Sequence, residues 1–224
     1  MVRVAINGFG RIGRRVFRLL QSHPTIEVVA INDLADTKTL AHLLKYDSIH
    51  GTLNSPVSSN FSNIIFDGKT IPVLNKTHPK NLNWMPYDVD IVIEATGKFK
   101  TQKELTHHIT NGATKVMLSV PPLDDDLKTV VLGVNDDLLN TKDSIISNAS
   151  CTTNNAAPMV SIINELCGIN QAYITTVHSY TTDQSLHDKH HKDLRRARAA
   201  GQASVPTTTG AAKAMTKVFP EVAN

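Results

Sequence analysis

The sequence is short of cysteine, of aromatic residues, of long apolar runs and of net charge, and each shortage removes a class of protein. Its 224 residues contain two cysteines, Cys151 and Cys167. Two thiols in a chain of this size do not make a disulfide scaffold, and a reduced, cytoplasmic setting fits them best. No apolar stretch approaches the ~20 residues of a membrane helix. Residues 1–6 run directly into an apolar strand, with no charged n-region before it, so neither a membrane span nor a secretory leader is expected. The formal net charge is only +3, which gives the whole molecule no general pull toward nucleic acid. Basic residues do bunch between positions 189 and 198, but only Tyr180 stands nearby, so the interleaved aromatics of a nucleic-acid surface are lacking. No cluster with metal-ligand spacing is found, and no metal is expected.

What is there is an alternation of short apolar runs and helical stretches. Strands are expected at residues 2–6, 27–31, 64–66, 71–74, 90–95, 115–119 and 144–147, with helices at 11–21, 37–44 and 102–110. Strands alternating with helices imply right-handed crossovers and a parallel sheet covered on both faces. The pattern changes near residue 150. A helix over 151–167 with Ser150 as N-cap is followed by an alternating strand at 171–178, a long polar stretch at 179–204 and a short helix at 210–217. The expected architecture is α/β. It comprises a Rossmann-type doubly wound parallel sheet over residues 1–149 and the start of an α+β catalytic domain over 150–224. Cys167, at the far end of an apolar helix face, is expected in the core.

Two constellations carry chemistry. The first is Gly8-Phe9-Gly10-Arg11-Ile12-Gly13, a G-x-G-x-x-G between a strand and a helix. Such glycines serve a tight turn, the approach of backbone to a pyrophosphate, and the packing of helix on strand. The helix N-terminus adds free N–H groups and partial positive charge. Asp33 stands 20 residues after Gly13, at the end of the next strand, where an acid accepts hydrogen bonds from the adenosine ribose. A carboxylate there repels a 2′-phosphate and favours NAD over NADP.

The second is Ser150-Cys151-Thr152-Thr153-Asn154 together with His178. A Cys in the first turn of a helix has its thiolate favoured by the helix dipole, and a His brought beside it would make an activated nucleophile with a base. From residue types alone, a buried small thiol and a core histidine fit as well.

Further segments turn this into a resemblance. Residues 5–14, Ser147-Asn148-Ala149-Ser150-Cys151-Thr152-Thr153-Asn154, Leu44-Lys45-Tyr46-Asp47-Ser48 with His50-Gly51, and Pro206-Thr207-Thr208-Thr209-Gly210-Ala211-Ala212-Lys213-Ala214 resemble the motifs of phosphorylating glyceraldehyde-3-phosphate dehydrogenases. The resemblance runs from residue 2 to about 222. It implies NAD-dependent oxidative phosphorylation of glyceraldehyde 3-phosphate, in glycolysis, through a thioester on Cys151 with His178 as base. It implies Ser150, Thr152, Thr209 and Gly210 for inorganic phosphate, and Thr181 and Arg196 for the substrate phosphate. On the cofactor side it points to Gly8, Gly10, Arg11, Ile12, Gly13, Asp33, Thr77, Thr96, Gly97 and Ser119, with Thr77 where relatives often carry Lys or Arg. A homotetramer is the family's assembly. Relatives extend for about half this length again, so the chain alone is expected to turn over poorly. Where they carry a second Cys four residues after the first, this sequence has Asn155. Lys189 and His190 leave NADP open.

Two other functions compete. Erythrose-4-phosphate dehydrogenase shares Cys151, His178 and the glycine loop, but the loop at 207–212 looks built for inorganic phosphate. A non-catalytic NAD- or RNA-binding fragment would use the basic cluster at 189–198.

Overall fold

The structure is a computed structural model that describes residues 1–219; residues 220–224, the end of the second expected domain, lie outside the described residues. The chain divides into two compact units, Met1–Ser150 and Cys151 onward.

The first unit opens with β1 (Val2–Asn7), α1 (Arg11–Leu20), β2 (Ile26–Asn32) and α2 (Thr37–Lys45). A two-residue pair follows, β3 (Tyr46–Asp47) and β4 (Gly51–Thr52), then β5 (Val57–Ser59), β6 (Asn63–Phe66) and β7 (Lys69–Leu74). It closes with β8 (Ile91–Glu94), α3 (Gln102–Thr110), β9 (Lys115–Leu118) and β10 (Ile145–Ser147). Eight strands form one sheet in the order β10-β9-β8-β1-β2-β7-β6-β5. From β10 to β7 the neighbours run parallel. The pairs β7–β6 and β6–β5 are antiparallel, so the expected parallel sheet is extended by an antiparallel edge. The cause is local: Asp67-Gly68, with Gly68 at φ 80, turns the chain straight back and leaves no length for a crossover helix.

Alternation along β1 assigns its two faces. Val4 and Ile6 join one buried cluster with Phe9, Phe17, Val28 and Ile31, while Ala5 joins another with Ala30, Trp84 and Val92. A strand buried on both faces reads as continuous apolar sequence, as residues 4–6 do. Phe17 stands edge-on to Phe9 and Phe66, with ring centroids 5.6 and 5.3 Å away, and locks α1 onto the sheet. α3 starts with a capping box between Thr101 and Glu104. The strands flanking β1, namely β2 and β8, continue the sheet in opposite directions, so the carboxyl end of β1 is the switch point where such sheets hold ligands.

The second unit holds α4 (Cys151–Cys167), α5 (Ala211–Val218) and long connections. α4 buries Thr153, Ala156 and Ala157 and packs on α5. Two expectations are corrected here. Residues 171–178 form no strand: nearly all are exposed, and among the described residues no neighbouring strand supplies the backbone partners that a strand needs. Cys167 is exposed rather than in the core, because nothing described covers the apolar face of Met159, Ile162, Ile163 and Leu166 that leads to it. The stretch 179–204 folds back on itself through Ser185 N–H to Arg196 O (3.1 Å), Lys189 N–H to Ala197 O (2.9 Å) and Ala200 N–H to Ser185 O (2.8 Å).

Candidate functional site

In the first unit the glycine loop connects β1 to α1. Gly8 has φ 94, and a Cβ there would stand 2.6 Å from the backbone nitrogen of Thr96. At Gly13 a Cβ would stand 2.1 Å from the carbonyl oxygen of Gly8. Both positions are therefore closed to side chains by backbone packing. Gly10 differs: it has negative φ and open space around it.

A cleft of 290 Å³ opens above this loop. Of the residues expected from sequence it is lined by Gly8, Gly10, Asp33, Thr77 and Thr96. Asp33 accepts the Phe9 N–H (2.7 Å) and the Ala35 N–H (3.0 Å), one on each carboxylate oxygen. A carboxylate has about four acceptor positions, so two remain open to further donors. Arg11, Ile12, Gly13, Gly97 and Ser119 do not line the cleft. Arg11 starts α1 and pairs with Asp47 at 3.1 Å. Backbone N–H groups of His50 and Ile49, with Arg11, hold the Asp47 carboxyl far below the usual range against the opposing effect of burial. Ile12 is half exposed. Ser119 directly follows β9, and its Oγ is buried without a hydrogen-bond partner among the described residues. An orphaned hydroxyl at a strand end is what a site for a polar ligand group leaves when described alone.

Leu34, Lys76, Lys98 and Phe99 also line the cleft and were not expected from sequence. Leu34, 59% exposed just after Asp33, and Phe99, buried just after Thr96-Gly97-Lys98, supply apolar walls. An apolar residue directly following Asp33 was the available signal.

Beneath the cleft lies a fully buried polar chain. Trp84 Nε1–H donates to His108 Nδ1 at 3.1 Å. Indole nitrogen only donates, so the His108 proton is on Nε2, which donates to Glu94 at 3.1 Å. Glu94 also accepts Asn7 Nδ2–H, the Thr96 N–H (2.9 Å) and the Thr96 hydroxyl. Four donors fill the acceptor capacity of the carboxylate. Asn7 in turn accepts from Asn32 Nδ2 at 2.7 Å, and Asn32 holds the Lys76 N–H at 2.9 Å. These contacts tie the carboxyl ends of β1, β2 and β8 together under the glycine loop. A lone acid at the end of an otherwise apolar strand was the legible sign of Glu94.

In the second unit α4 begins at Cys151, and His178 approaches its side chain from the extended segment, with Sγ and Nε2 3.3 Å apart. His178 Nδ1 lies 2.6 Å from the carbonyl oxygen of Ser179, which can only accept, so Nδ1 carries a proton. Burial opposes ionisation of the Cys151 thiol, but hydrogen bonds from His178 and Thr152 outweigh it and bring its pKa below the ordinary thiol value. His178 is raised, first by the Ser179 carbonyl and then by Cys151. Both shifts favour a thiolate–imidazolium pair.

Cys151 and His178 open on a cavity of 460 Å³, also lined by Thr152, Thr181, Arg196 and Thr209. Asp183, Gln184, Thr207 and Thr208 complete its polar wall. Arg196 donates to Asp183 (2.6 Å) and, from Nε, to Thr207 (2.8 Å). Burial opposes ionisation of Asp183, and Arg196 overcomes it, leaving that carboxyl below its ordinary value. Ser150 belongs to the first unit, and Gly210 is the N-cap of α5; neither lines this cavity.

Comparison with known proteins agrees over nearly the whole chain. The sequence model described as the glyceraldehyde 3-phosphate dehydrogenase NAD-binding domain matches residues 2–102, and that of the C-terminal domain matches 150–224. The chain is 53% identical over 222 residues to glyceraldehyde-3-phosphate dehydrogenase of Geobacillus stearothermophilus, spanning 99% of this chain and 66% of that protein. It is 53% identical over 220 residues to the Thermotoga maritima protein of the same name, and 50% identical over 223 residues to glyceraldehyde-3-phosphate dehydrogenase 1 of Bacillus cereus, again spanning 66% of each. The chain thus covers a little under two thirds of these relatives' length, and across that span it belongs to the glyceraldehyde-3-phosphate dehydrogenase family.

Proposed function

We propose that the protein carries out NAD-dependent oxidative phosphorylation of glyceraldehyde 3-phosphate to 1,3-bisphosphoglycerate, in the cytoplasm and as a homotetramer when the whole polypeptide assembles. The observation that carries the reading is Cys151 Sγ at 3.3 Å from His178 Nε2, in a cavity furnished with Thr152, Thr181, Thr209 and Arg196.

The Cys151 thiolate adds to the aldehyde carbon, and His178 gives its Nε2 proton to the oxygen that becomes a hydroxyl. In the oxidation His178 takes that proton back, and the carbon stays on Sγ as a thioester. Inorganic phosphate then attacks the thioester carbonyl; the acyl phosphate leaves and the thiolate is restored. NAD, when bound, supplies the electron acceptor. The residues present fit it: an open Gly10 for the pyrophosphate and free acceptor positions on Asp33 for the ribose. Hydroxyls and a guanidinium in the cavity suit two phosphate groups, because they donate without adding negative charge.

The purified whole polypeptide given glyceraldehyde 3-phosphate, NAD and phosphate should form NADH in a phosphate-dependent manner, and Cys151→Ser should abolish it; the 224-residue chain alone should turn over poorly. Turnover of erythrose 4-phosphate in preference, or turnover indifferent to phosphate, would overturn this reading.

A further inference from the structure

We propose that Lys76 and Lys98 make the dinucleotide cleft accept a 2′-phosphate, so that it takes NADP as well as NAD. The inference rests on the dinucleotide reading of the cleft and deepens it.

Sequence alone set Asp33, whose charge should repel a 2′-phosphate, against Lys189 and His190, which left NADP open. The structure changes the balance in two ways. First, both oxygens of Asp33 already accept a backbone N–H, from Phe9 and from Ala35. Those dipoles offset part of the field that the carboxylate sends into the cleft. Second, Lys76 and Lys98 line the same cleft as Asp33, one after β7 and one after β8. The cleft lining thus holds one carboxylate and two ammonium groups, net positive. Among the described residues neither ammonium has a carboxylate partner or a hydrogen bond; Lys98 Nζ only lies 5.5 Å from the centroid of the Phe99 ring. Both side chains are exposed and long, free to swing onto an incoming anion. A ribose phosphate carries up to two charges near neutral pH, so it gains from both lysines, while a ribose hydroxyl gains from neither. Lys189 and His190, the residues to which sequence pointed for this role, belong to the second unit.

The test is direct titration of the protein with NAD+ and with NADP+, in the wild type and in the Lys76→Ala/Lys98→Ala double variant. Both lysines are on the surface, and unchanged circular dichroism and urea midpoint would confirm that the variant folds. The wild type should bind NADP+ within about tenfold of NAD+. The double variant should lose NADP+ affinity about tenfold and NAD+ affinity less than about twofold, from exposed charge pairs of ordinary strength. The wild-type NADP+ affinity should fall more steeply with salt. NADP+ binding a hundredfold or more weaker than NAD+ would overturn the inference. So would equal losses for the two cofactors, which would assign the lysines to the shared pyrophosphate. Failure of the wild type to bind NAD+ would overturn the dinucleotide reading itself, and this inference with it.

Discussion

Two glycines of the loop, Gly13 and Gly10, make separable predictions, because the structure gives them different neighbours. Gly13→Ala puts a Cβ 2.1 Å from the Gly8 carbonyl oxygen, and no real Cβ contact falls below 3.0 Å. The obstructing atom is backbone, so relief requires α1 to move away from the loop. Overpacking of this kind costs about 1–3 kcal/mol, and the upper end applies where the neighbour is rigid. Alanine recovers about 1 kcal/mol of helix propensity, so the net loss should be about 2 kcal/mol, or roughly 4–8 °C in Tm for a chain of this size. Gly10→Ala meets nothing within 4 Å and keeps a negative φ. Its effect on the free protein should be neutral or a gain of about 0.5 kcal/mol from the unfolded chain. With NAD bound, however, the same Cβ would stand where backbone must approach the pyrophosphate. Loss of one charge-assisted amide contact is worth about 1.5–3 kcal/mol, or about 10- to 100-fold in Kd. Thermal melts with and without NAD, and calorimetric titration, separate the two glycines: Gly13→Ala should melt early, while Gly10→Ala should melt normally but gain little from NAD. A Gly10→Ala protein that binds NAD like the wild type would refute the placement of the pyrophosphate. If it melted as early as Gly13→Ala, the claim of open space would be refuted.

Alkylation of Cys151 by iodoacetamide, measured in a Cys167→Ser background, should reach its plateau at lower pH in the wild type than in His178→Ala. Cys151 ionises below the ordinary thiol value, so its share of the pair's stability is complete above that value and fades as pH falls through the lowered one. His178 is raised, so its share is complete below the ordinary imidazole value and fades as pH rises through the raised one; coincident alkylation profiles would contradict the pair. Glu94→Gln should lower stability by about 3 kcal/mol in urea unfolding, because an amide brings donors to a place already filled with them. A loss under about 1 kcal/mol would mean that the buried chain is not held as described. Peroxide should oxidise Cys151 to sulfinic acid or to mixed disulfides, never to an internal bond with Cys167, since the two ends of α4 lie ~24 Å apart. An intramolecular Cys151–Cys167 disulfide in intact-mass and peptide analysis would show that α4 does not hold.

Legibility followed the range of the interaction that fixes each feature. The bounds of β1, α1, α3 and α4 could be read within a residue or two, because apolar periodicity, a glycine turn or a capping residue sets each of them locally. The strand expected at 171–178 failed for the opposite reason. Its alternation was real, but a strand exists only beside a partner, and the described residues contain none for it. Cys167 failed in the same way: an apolar stripe states that a face wants covering, and only a neighbouring element decides whether it is covered. At the sites the division is similar. The placement of Gly8 and Asp33 at one cleft and of Cys151 at another was legible because one residue type at one spacing marks each of them. Lys76, Lys98 and Phe99 were not, since they come from separate strand ends that meet only when β7, β2, β1 and β8 stand side by side. Asp33 shows the consequence most sharply. Its residue type favoured NAD over NADP, but the charge a ligand meets is that of the whole cleft, and two lysines that tertiary structure brings there change its sign.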